Sequence, residues 1–247
     1  MRSFGIYFDE FFGTVGGVPF WKRDPKPVTY VMGKATKNVP DYIEESLRGN
    51  SRRITEIGEP VLHNRANDVA ANEFGTPELR ELIDDMFTTM DIAEGVGLAA
   101  TQIGVDKQVF VFDVPGDDDN RHVGHIVNPK LTIHDDGEPQ TRGEGCLSVP
   151  GAYADLERPY RVTIEGFDWQ GKPIKLEGEG YLARAFIHEY QHLQGTLYWD
   201  HLSDDEKQRT LAERDQNRPS VIERRRQTAA ELGKQHPDYP PTPAGGR

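Results

Sequence analysis

Cysteine is almost absent from this chain, which has a single such residue, Cys146, among its 247. One thiol cannot form a disulfide within the chain, so the sequence excludes a disulfide-stapled secreted domain. We therefore expect a reducing compartment, where a cysteine thiolate that serves as a metal ligand also survives best. The expected location is cytoplasmic.

Long hydrophobic runs and an excess of positive charge are also lacking. No stretch approaches the roughly 18 apolar residues that indicate a membrane-spanning helix. Asp9 and Glu10 stand where a signal peptide would need its apolar run. The net charge of −12 argues against bulk binding of nucleic acid. The sequence thus predicts neither a membrane partner nor a DNA partner.

A His-Glu-x-x-His pattern occupies residues 188–192, in a segment that reads as a helix. Two histidines four residues apart project from one helix face, so His188 and His192 can reach the same divalent metal ion. Glu189 then stands beside them as a base for water. A histidine pair alone is more often structural, but the intervening glutamate and the apolar flanks favour the metal site of a hydrolase.

Two histidines leave such a site incomplete, because a catalytic divalent metal usually takes about three protein ligands and keeps one position for water. One protease pattern places a third histidine shortly downstream, but Tyr198 stands at that position here. His201 and Glu213 lie further on and are not excluded by their spacing. The other candidate is Cys146, because a thiolate with two imidazoles suits zinc or a similar late first-row metal.

Three stretches, taken in order, resemble the three motifs of the peptide deformylase family. They are Gly-Val-Gly-Leu-Ala-Ala-Thr-Gln at 95–102, Glu-Gly-Cys-Leu-Ser at 144–148 and His-Glu-Tyr-Gln-His at 188–192. The resemblance runs from about Ile54 to roughly Leu211. One position departs from the family pattern, since many members carry Asp where this chain has Gln191. The resemblance implies removal of the formyl group from the N-terminal formyl-methionine of newly made proteins.

The same resemblance assigns the metal and the base. It implies that Cys146, His188 and His192 hold one divalent ion, with Fe2+ favoured by the family. Zn2+, Ni2+ and Co2+ stay possible, because thiolate and imidazole ligands suit all of them. Glu189 would take a proton from water and return it to the leaving amine, acting first as general base and then as general acid.

The resemblance also assigns the groups that contact the substrate. The tetrahedral oxyanion would accept hydrogen bonds from the side-chain amide of Gln102 and from the backbone N–H of Leu147. Arg184 would line the methionine pocket with its stem while its charged head reaches water. The residues that would line this pocket are Val96, Gly97, Tyr181, Arg184 and Ala185.

The remaining patterns predict an α+β fold, with mixed or antiparallel β-sheets packed around the central His-Glu-x-x-His helix. Thr76 as cap and Pro77 at the first helical position predict a helix that ends before Gly95. Residues 107–114 read as a buried strand. Residues 161–176 read as a hairpin that turns at a Gln-Gly pair.

The domain organisation follows from shifts in composition. We expect an aromatic-rich N-terminal extension or arm over residues 1–50 and a catalytic domain over 51–216. A C-terminal helix and a disordered Pro/Gly-rich tail are expected over 217–247. Ser203 and Ser220 each precede a glutamate by three positions, which is the capping-box spacing and predicts two helix starts.

Three arginines at 224–226 make the expected C-terminal helix locally basic. Their simplest interpretation is a solvated charged face. Because deformylases act on nascent chains, the resemblance adds the possibility that this helix docks on the ribosome. Two alternatives to the deformylase interpretation stay open here. One is a zinc endopeptidase with a downstream third ligand; the other is an idle deformylase-like binding protein, against which an intact Glu189 and Gln102 argue.

Overall fold

The computed structural model of the protein describes residues 27–37, 39–117 and 119–241. The aromatic-rich start of the predicted arm lies outside these residues. Within them, no helix is both long and apolar enough to cross a membrane. The strands are β1 (Thr29–Val31), β2 (Lys34–Thr36), β3 (Gly97–Ala99), β4 (Val109–Pro115), β5 (Arg121–His134), β6 (Gln140–Cys146), β7 (Val149–Arg158), β8 (Arg161–Phe167) and β9 (Pro173–Glu179). The α-helices are α1 (Glu44–Arg48), α2 (Pro77–Ile92), α3 (Gly180–Leu193) and α4 (Asp204–Glu231).

The main sheet is mixed, and β5 holds it together. Its strand order is β2-β1-β5-β4-β3, and β8 joins β5 and continues to β9. β5 pairs with β4 through its first half and with β8 through its second half. The register shifts between Val127 and Lys130, where a bulge lets one long strand serve two partners. Strands β6 and β7 form a separate two-stranded sheet. The predicted α+β class is confirmed.

β4 lies between two helices, as its continuous apolar run requires. Side chains alternate across a strand, so Phe110 and Phe112 point to one face and Val109 and Val111 to the other. The two phenylalanines pack on Phe186 of α3, with ring centroids 6.2 and 5.1 Å away. The two valines join the apolar side chains of α2 in a second cluster. Burial on both faces makes β4 the buried strand that the sequence predicts.

Local signals also placed α2 and the β8–β9 hairpin. The hydroxyl of Thr76 accepts a hydrogen bond from the N–H of Leu79 at 3.3 Å, and Pro77 is the first helical residue. β8 and β9 pair antiparallel around a turn in which Gly171 has a φ of 82°. Glycine adopts this left-handed conformation without steric cost. Both predictions are confirmed.

α3 is buried along almost its whole length. It begins directly after β9, and only Tyr190 and Gln191 are partly exposed. A helix that is buried on nearly all sides is a core element rather than a surface one. Its position therefore carries the side chains of His188, Glu189 and His192 into the interior of the domain.

α4 is a single long helix, so the second helix start predicted at Ser220 is wrong. Ser203 caps the helix as expected, because its hydroxyl accepts from the N–H of Glu206 at 3.4 Å. The helix then continues through Pro219. Proline inside a helix costs about 3 kcal/mol. Packing along β7 offsets this cost, and Asn217 adds a hydrogen bond from its side-chain amide to the Gly151 carbonyl at 2.8 Å.

The described part of the N-terminal segment is attached to the domain. β1 pairs parallel with the start of β5, with Thr29 opposite Arg121. In α1, the Arg48 guanidinium lies 2.9 Å from the Asp84 carboxylate of α2. Backbone pairing thus holds β1 on the sheet, and an ion pair holds α1 on α2.

The segment after α4 also packs, at least as far as Pro240. The hydroxyl of Tyr239 accepts a hydrogen bond from the backbone N–H of Ile54 at 3.1 Å. Arg218 of α4 donates to the Pro240 carbonyl at 2.6 Å and also binds Glu56. The expectation of a disordered tail is therefore wrong for Tyr239 and Pro240. Their composition does not reveal that the buried Arg218 uses the Pro240 carbonyl as a hydrogen-bond partner. Residues 242–247 lie outside the described part.

Candidate metal centre

Three potential metal ligands converge between α3 and the end of β6. The Sγ of Cys146 and one ring nitrogen each of His188 and His192 lie within 4.8 Å of one another. Cys146 Sγ is 3.1 Å from His192 Nε2. Bonds of about 2.3 Å to sulfur and 2.0–2.1 Å to nitrogen place ligands of one ion roughly 3–4 Å apart. All three side chains are buried, and their donor set fits one divalent metal ion.

The downstream candidates for a third ligand do not belong to this group. Glu213 pairs with Arg209 on α4, with 3.7 Å between the charged groups. His201 ends the 3₁₀ turn Tyr198–His201 and is not among the three converging ligands. Tyr198, which occupies the third-histidine position of the protease pattern, stacks on His188 with 6.2 Å between ring centroids.

Glu144 organises the site from behind His188, a role that the sequence did not predict. Its buried carboxylate accepts hydrogen bonds from His188 Nδ1 at 2.7 Å, from Arg158 at 2.6 and 3.0 Å, and from Arg184 at 2.7 Å. Burial opposes ionisation, but the contacts from His188 and Arg158 outweigh it and hold the pKa of Glu144 well below its usual range. Because an ionised carboxylate only accepts, Nδ1 of His188 carries a hydrogen, and Nε2 is the nitrogen left to bind a metal.

The expected exposure of the Arg184 head group is wrong. The residue is only 3% exposed, and its guanidinium binds Glu144 together with the carbonyls of Gln140 and Leu156 at 2.7 and 2.9 Å. A buried charge is tolerated where it is paired and hydrogen-bonded, which these partners achieve. Arg158 lies 14 positions after Glu144 and shares no short motif with it. The antiparallel pairing of β6 with β7 brings the two side chains together.

Glu189 lies in the site with a free carboxylate oxygen. Its side chain is 4% exposed, and Oε2 has no hydrogen-bond partner among the described residues. Burial raises the pKa of Glu189 to about 7, which suits a group that must both accept and return a proton near neutral pH. A Cβ on Gly97 would overlap Glu189 Oε1, so the space for the carboxylate depends on glycine at that position.

Gln102 and Leu147 flank Cys146. The Gln102 carbonyl oxygen accepts from the Ala99 N–H at 2.7 Å, which fixes the orientation of its amide. The amide nitrogen then faces Cys146 Sγ at 3.7 Å and Ser148 Oγ at 3.4 Å. Leu147 follows Cys146 in the turn between β6 and β7. The Gln102 amide is therefore held as a hydrogen-bond donor on the cysteine side of the site.

One cleft joins nearly all the residues that the sequence singled out. His192 is fully buried behind it. The second half of α4 adds Val221, Arg224 and Arg225 to the cleft wall, and Arg224 faces Glu94 across the rim at 3.6 Å. In the sequence, only the three arginines at 224–226 marked this part of α4, and they did not indicate that it lines the cleft. The predicted residues that line the cleft are Val96, Gly97, Gln102, Cys146, Leu147, Tyr181, Arg184, Ala185, His188 and Glu189.

Comparison with known proteins gives consistent relatives. A family model described as polypeptide deformylase matches residues 51–208. Peptide deformylase 1 of Streptomyces avermitilis is 49% identical over 174 residues, which cover 70% of this chain and 79% of the relative. A peptide deformylase structure from Legionella pneumophila has a TM-score of 0.61 at 38% identity, covering 68% of this chain and 96% of that one.

A second solved structure holds a peptide. It is a class I type b peptide deformylase from Acinetobacter baumannii with Met-Ala-Ser bound. Its TM-score is 0.56 at 31% identity, and the match covers 61% of this chain and 98% of that one.

Proposed function

This chain belongs to the peptide deformylase family, and we propose that the converging Cys146, His188 and His192 form its metal site, with Glu189 as the catalytic base. The protein is a metal-dependent hydrolase that removes the N-formyl group of nascent formylated polypeptides. The observation that carries the proposal is the convergence of the three ligands in one cleft beside a buried carboxylate.

The proposed metal-binding element is α3, around which the sheets are arranged. It supplies two imidazoles, and β6 supplies the thiolate. A divalent ion held there would supply Lewis acidity toward the attacking water and the formyl carbonyl. Glu144 orients one of the imidazoles from outside the ligand set, an arrangement that strengthens many metal sites.

The rest of the chemistry is assigned to side chains and backbone of this chain. Glu189 takes a proton from the attacking water, whose oxygen adds to the formyl carbon. The Gln102 amide and the Leu147 N–H donate hydrogen bonds to the oxyanion that develops. Glu189 then returns the proton to the leaving nitrogen as the C–N bond breaks, which yields formate and a free amine.

The methionine pocket is proposed along the same cleft. Arg184 would line the pocket with a buried side chain, because its guanidinium is hydrogen-bonded to Glu144 and does not reach water. A formyl group carries only one hydrogen beyond its carbonyl, so we propose that the cleft closes beside Cys146 and Gln102. The proposed pocket residues are Val96, Gly97, Tyr181, Arg184 and Ala185.

Substrate preference tests this function. Formyl-Met-Ala-Ser should be cleaved to formate and free peptide, whereas acetyl-Met-Ala-Ser should react far more slowly because its methyl group has no space. An internal peptide bond of a longer, unblocked peptide should stay intact. Formate assay and mass spectrometry measure both products. Internal cleavage without formate release would favour the endopeptidase alternative, which also needs a downstream ligand that the described site lacks.

Fe2+ is the proposed native ion, on the basis of family resemblance. A ferrous site with a thiolate ligand should be sensitive to oxygen, so protein purified in air should lose activity with time. Protein loaded with Ni2+ or Co2+ should stay active under the same conditions. Metal analysis after purification without air identifies the ion directly. Equal stability of the isolated and substituted forms in air would point to zinc or nickel instead.

Ribosome docking through residues 224–226 stays a prediction, as does a cytoplasmic location. Arg225 is buried in the cleft wall. Arg226 pairs with Glu223 at 2.6 Å, and Arg224 faces Glu94. These contacts leave less free positive charge for RNA than the arginine run suggested.

A further inference from the structure

Arg225 is a buried cation that reaches the turn carrying Cys146. It is 3% exposed, and its Nη2 donates to the Leu147 carbonyl at 3.0 Å. Its Nη1 donates to the hydroxyl of Tyr239 at 3.4 Å, and the guanidinium carbon lies 5.9 Å from the centre of that ring. The family model ends at residue 208, so this contact comes from a part of the chain that the family match does not cover.

Among the described residues, no carboxylate balances the charge of Arg225. Its neighbours Arg224 and Arg226 face Glu94 and Glu223, but within the described part of the chain no acidic side chain pairs with Arg225. A guanidinium keeps its charge when it is buried, and burying a charge without compensation is costly. The position therefore favours a negative group near the Leu147 carbonyl.

The peptide group between Leu147 and Ser148 connects Arg225 to the sulfur of Cys146, which is negative as a thiolate. The carbonyl of Leu147 accepts from Arg225, and the N–H of the same peptide unit, that of Ser148, donates to Cys146 Sγ at 3.4 Å. The two ends of a peptide unit are conjugated. A cation at the oxygen thus polarises the N–H and strengthens its hydrogen bond to sulfur, as in cooperative hydrogen-bond chains.

We propose that Arg225 is a positioning residue of the metal site, which withdraws electron density from the Cys146 thiolate through the peptide between Leu147 and Ser148. A less electron-rich thiolate leaves a bound metal ion a stronger Lewis acid. The same contact fixes the turn that carries the Leu147 N–H, the proposed oxyanion donor. This inference rests on the ligand set proposed above and adds a chain-specific control of it by α4.

The test uses the full chain loaded with Co2+, whose thiolate-to-metal charge-transfer band reports the electron density on sulfur. In Arg225→Gln the band should move to lower energy, because the sulfur regains electron density. Its kcat should fall about 10-fold with little change in KM, at the lower end of the 10- to 100-fold effects of residues that support metal ligands. Arg226→Gln removes an arginine that is exposed and paired with Glu223, so its band and kinetics should match the unaltered protein.

A folded, fully cobalt-loaded Arg225→Gln protein with the unaltered band would overturn the proposal, as would an equal shift in Arg226→Gln. Should Arg225→Gln fail to fold, Arg225→Lys decides, since lysine keeps the charge but reaches less far. A smaller shift in the same direction supports the proposal, and an unchanged band overturns it. A missing thiolate band in the unaltered protein would overturn the ligand set and this proposal together, while formate release still reports on the function separately.

Discussion

Cys146→Ala is expected to lose bound metal and formate release together. The substitution removes the only sulfur ligand and leaves two imidazoles, fewer than the three protein ligands that catalytic divalent metals usually take. Metal content per chain and formate production measure the two losses side by side. Activity should fall to the background of the assay, because no further His, Cys, Asp or Glu among the described residues joins His188 and His192 in the ligand group.

Unfolding would not explain such a result. Cys146 packs in an apolar cluster with Ile57, Val149 and Leu197. Removal of one buried atom from such a cluster costs on the order of 1 kcal/mol. That is small beside the roughly 5–15 kcal/mol that stabilises an ordinary domain. A thermal melt of the metal-free proteins checks that the variant keeps its fold.

Two matched substitutions serve as controls for this prediction. His201→Ala and Glu213→Ala remove the other candidates for a third ligand, and both proteins should keep metal and activity. Glu213 is engaged with Arg209 outside the cleft, so its loss should matter little. Full metal occupancy in Cys146→Ala, or loss of metal in either control, would show that the third ligand has been assigned to the wrong residue.

Glu189→Gln should separate metal binding from catalysis. The amide has nearly the shape of the carboxylate but does not take up and return a proton. The rate should therefore fall by about 10² to 10⁴, the range expected for loss of a general base. Metal content should stay close to that of the unaltered protein, because Glu189 is not one of the converging ligands. A metal-free variant would instead make Glu189 a ligand or a structural residue.

Gly97 offers an independent approach to the same carboxylate. In Gly97→Ala the new Cβ would overlap Glu189 Oε1, so the carboxylate must move although its chemistry is unchanged. The rate should fall while the metal stays bound. Gly143→Ala is the matched control, since a Cβ there meets nothing closer than Asp155 Oδ1 at 3.8 Å. Equal rates in both alanine variants would show that the position of Glu189 is not critical.

The sequence by itself determined the parts of this protein that depend on short-range patterns. The helix period puts His188 and His192 on one face, the cap at Thr76 starts α2, and a Gly-containing turn closes the β8–β9 hairpin. The three motifs also identified the family. Each of these signals spans only a few residues, so the backbone geometry of one element is enough to interpret it.

Only the tertiary structure decided which distant residues meet. Cys146 approaches His192 across 46 positions of sequence, where spacing left His201 and Glu213 equally open. Likewise, the pairing of β6 with β7 brings Arg158 to Glu144. Such contacts depend on strand register and on the packing of separate elements, neither of which leaves a periodic trace in the sequence.

Burial explains why the sequence misjudged Arg184 and the chain after residue 217. A charged side chain in sequence suggests exposure, but Arg184 is buried because Glu144 and two carbonyls satisfy it. α4 continues through Pro219, and Tyr239 packs against the domain, because β7 and buried arginines provide partners there. The free energy of a buried charge or an interrupted helix depends on those partners, and only the assembled fold supplies them.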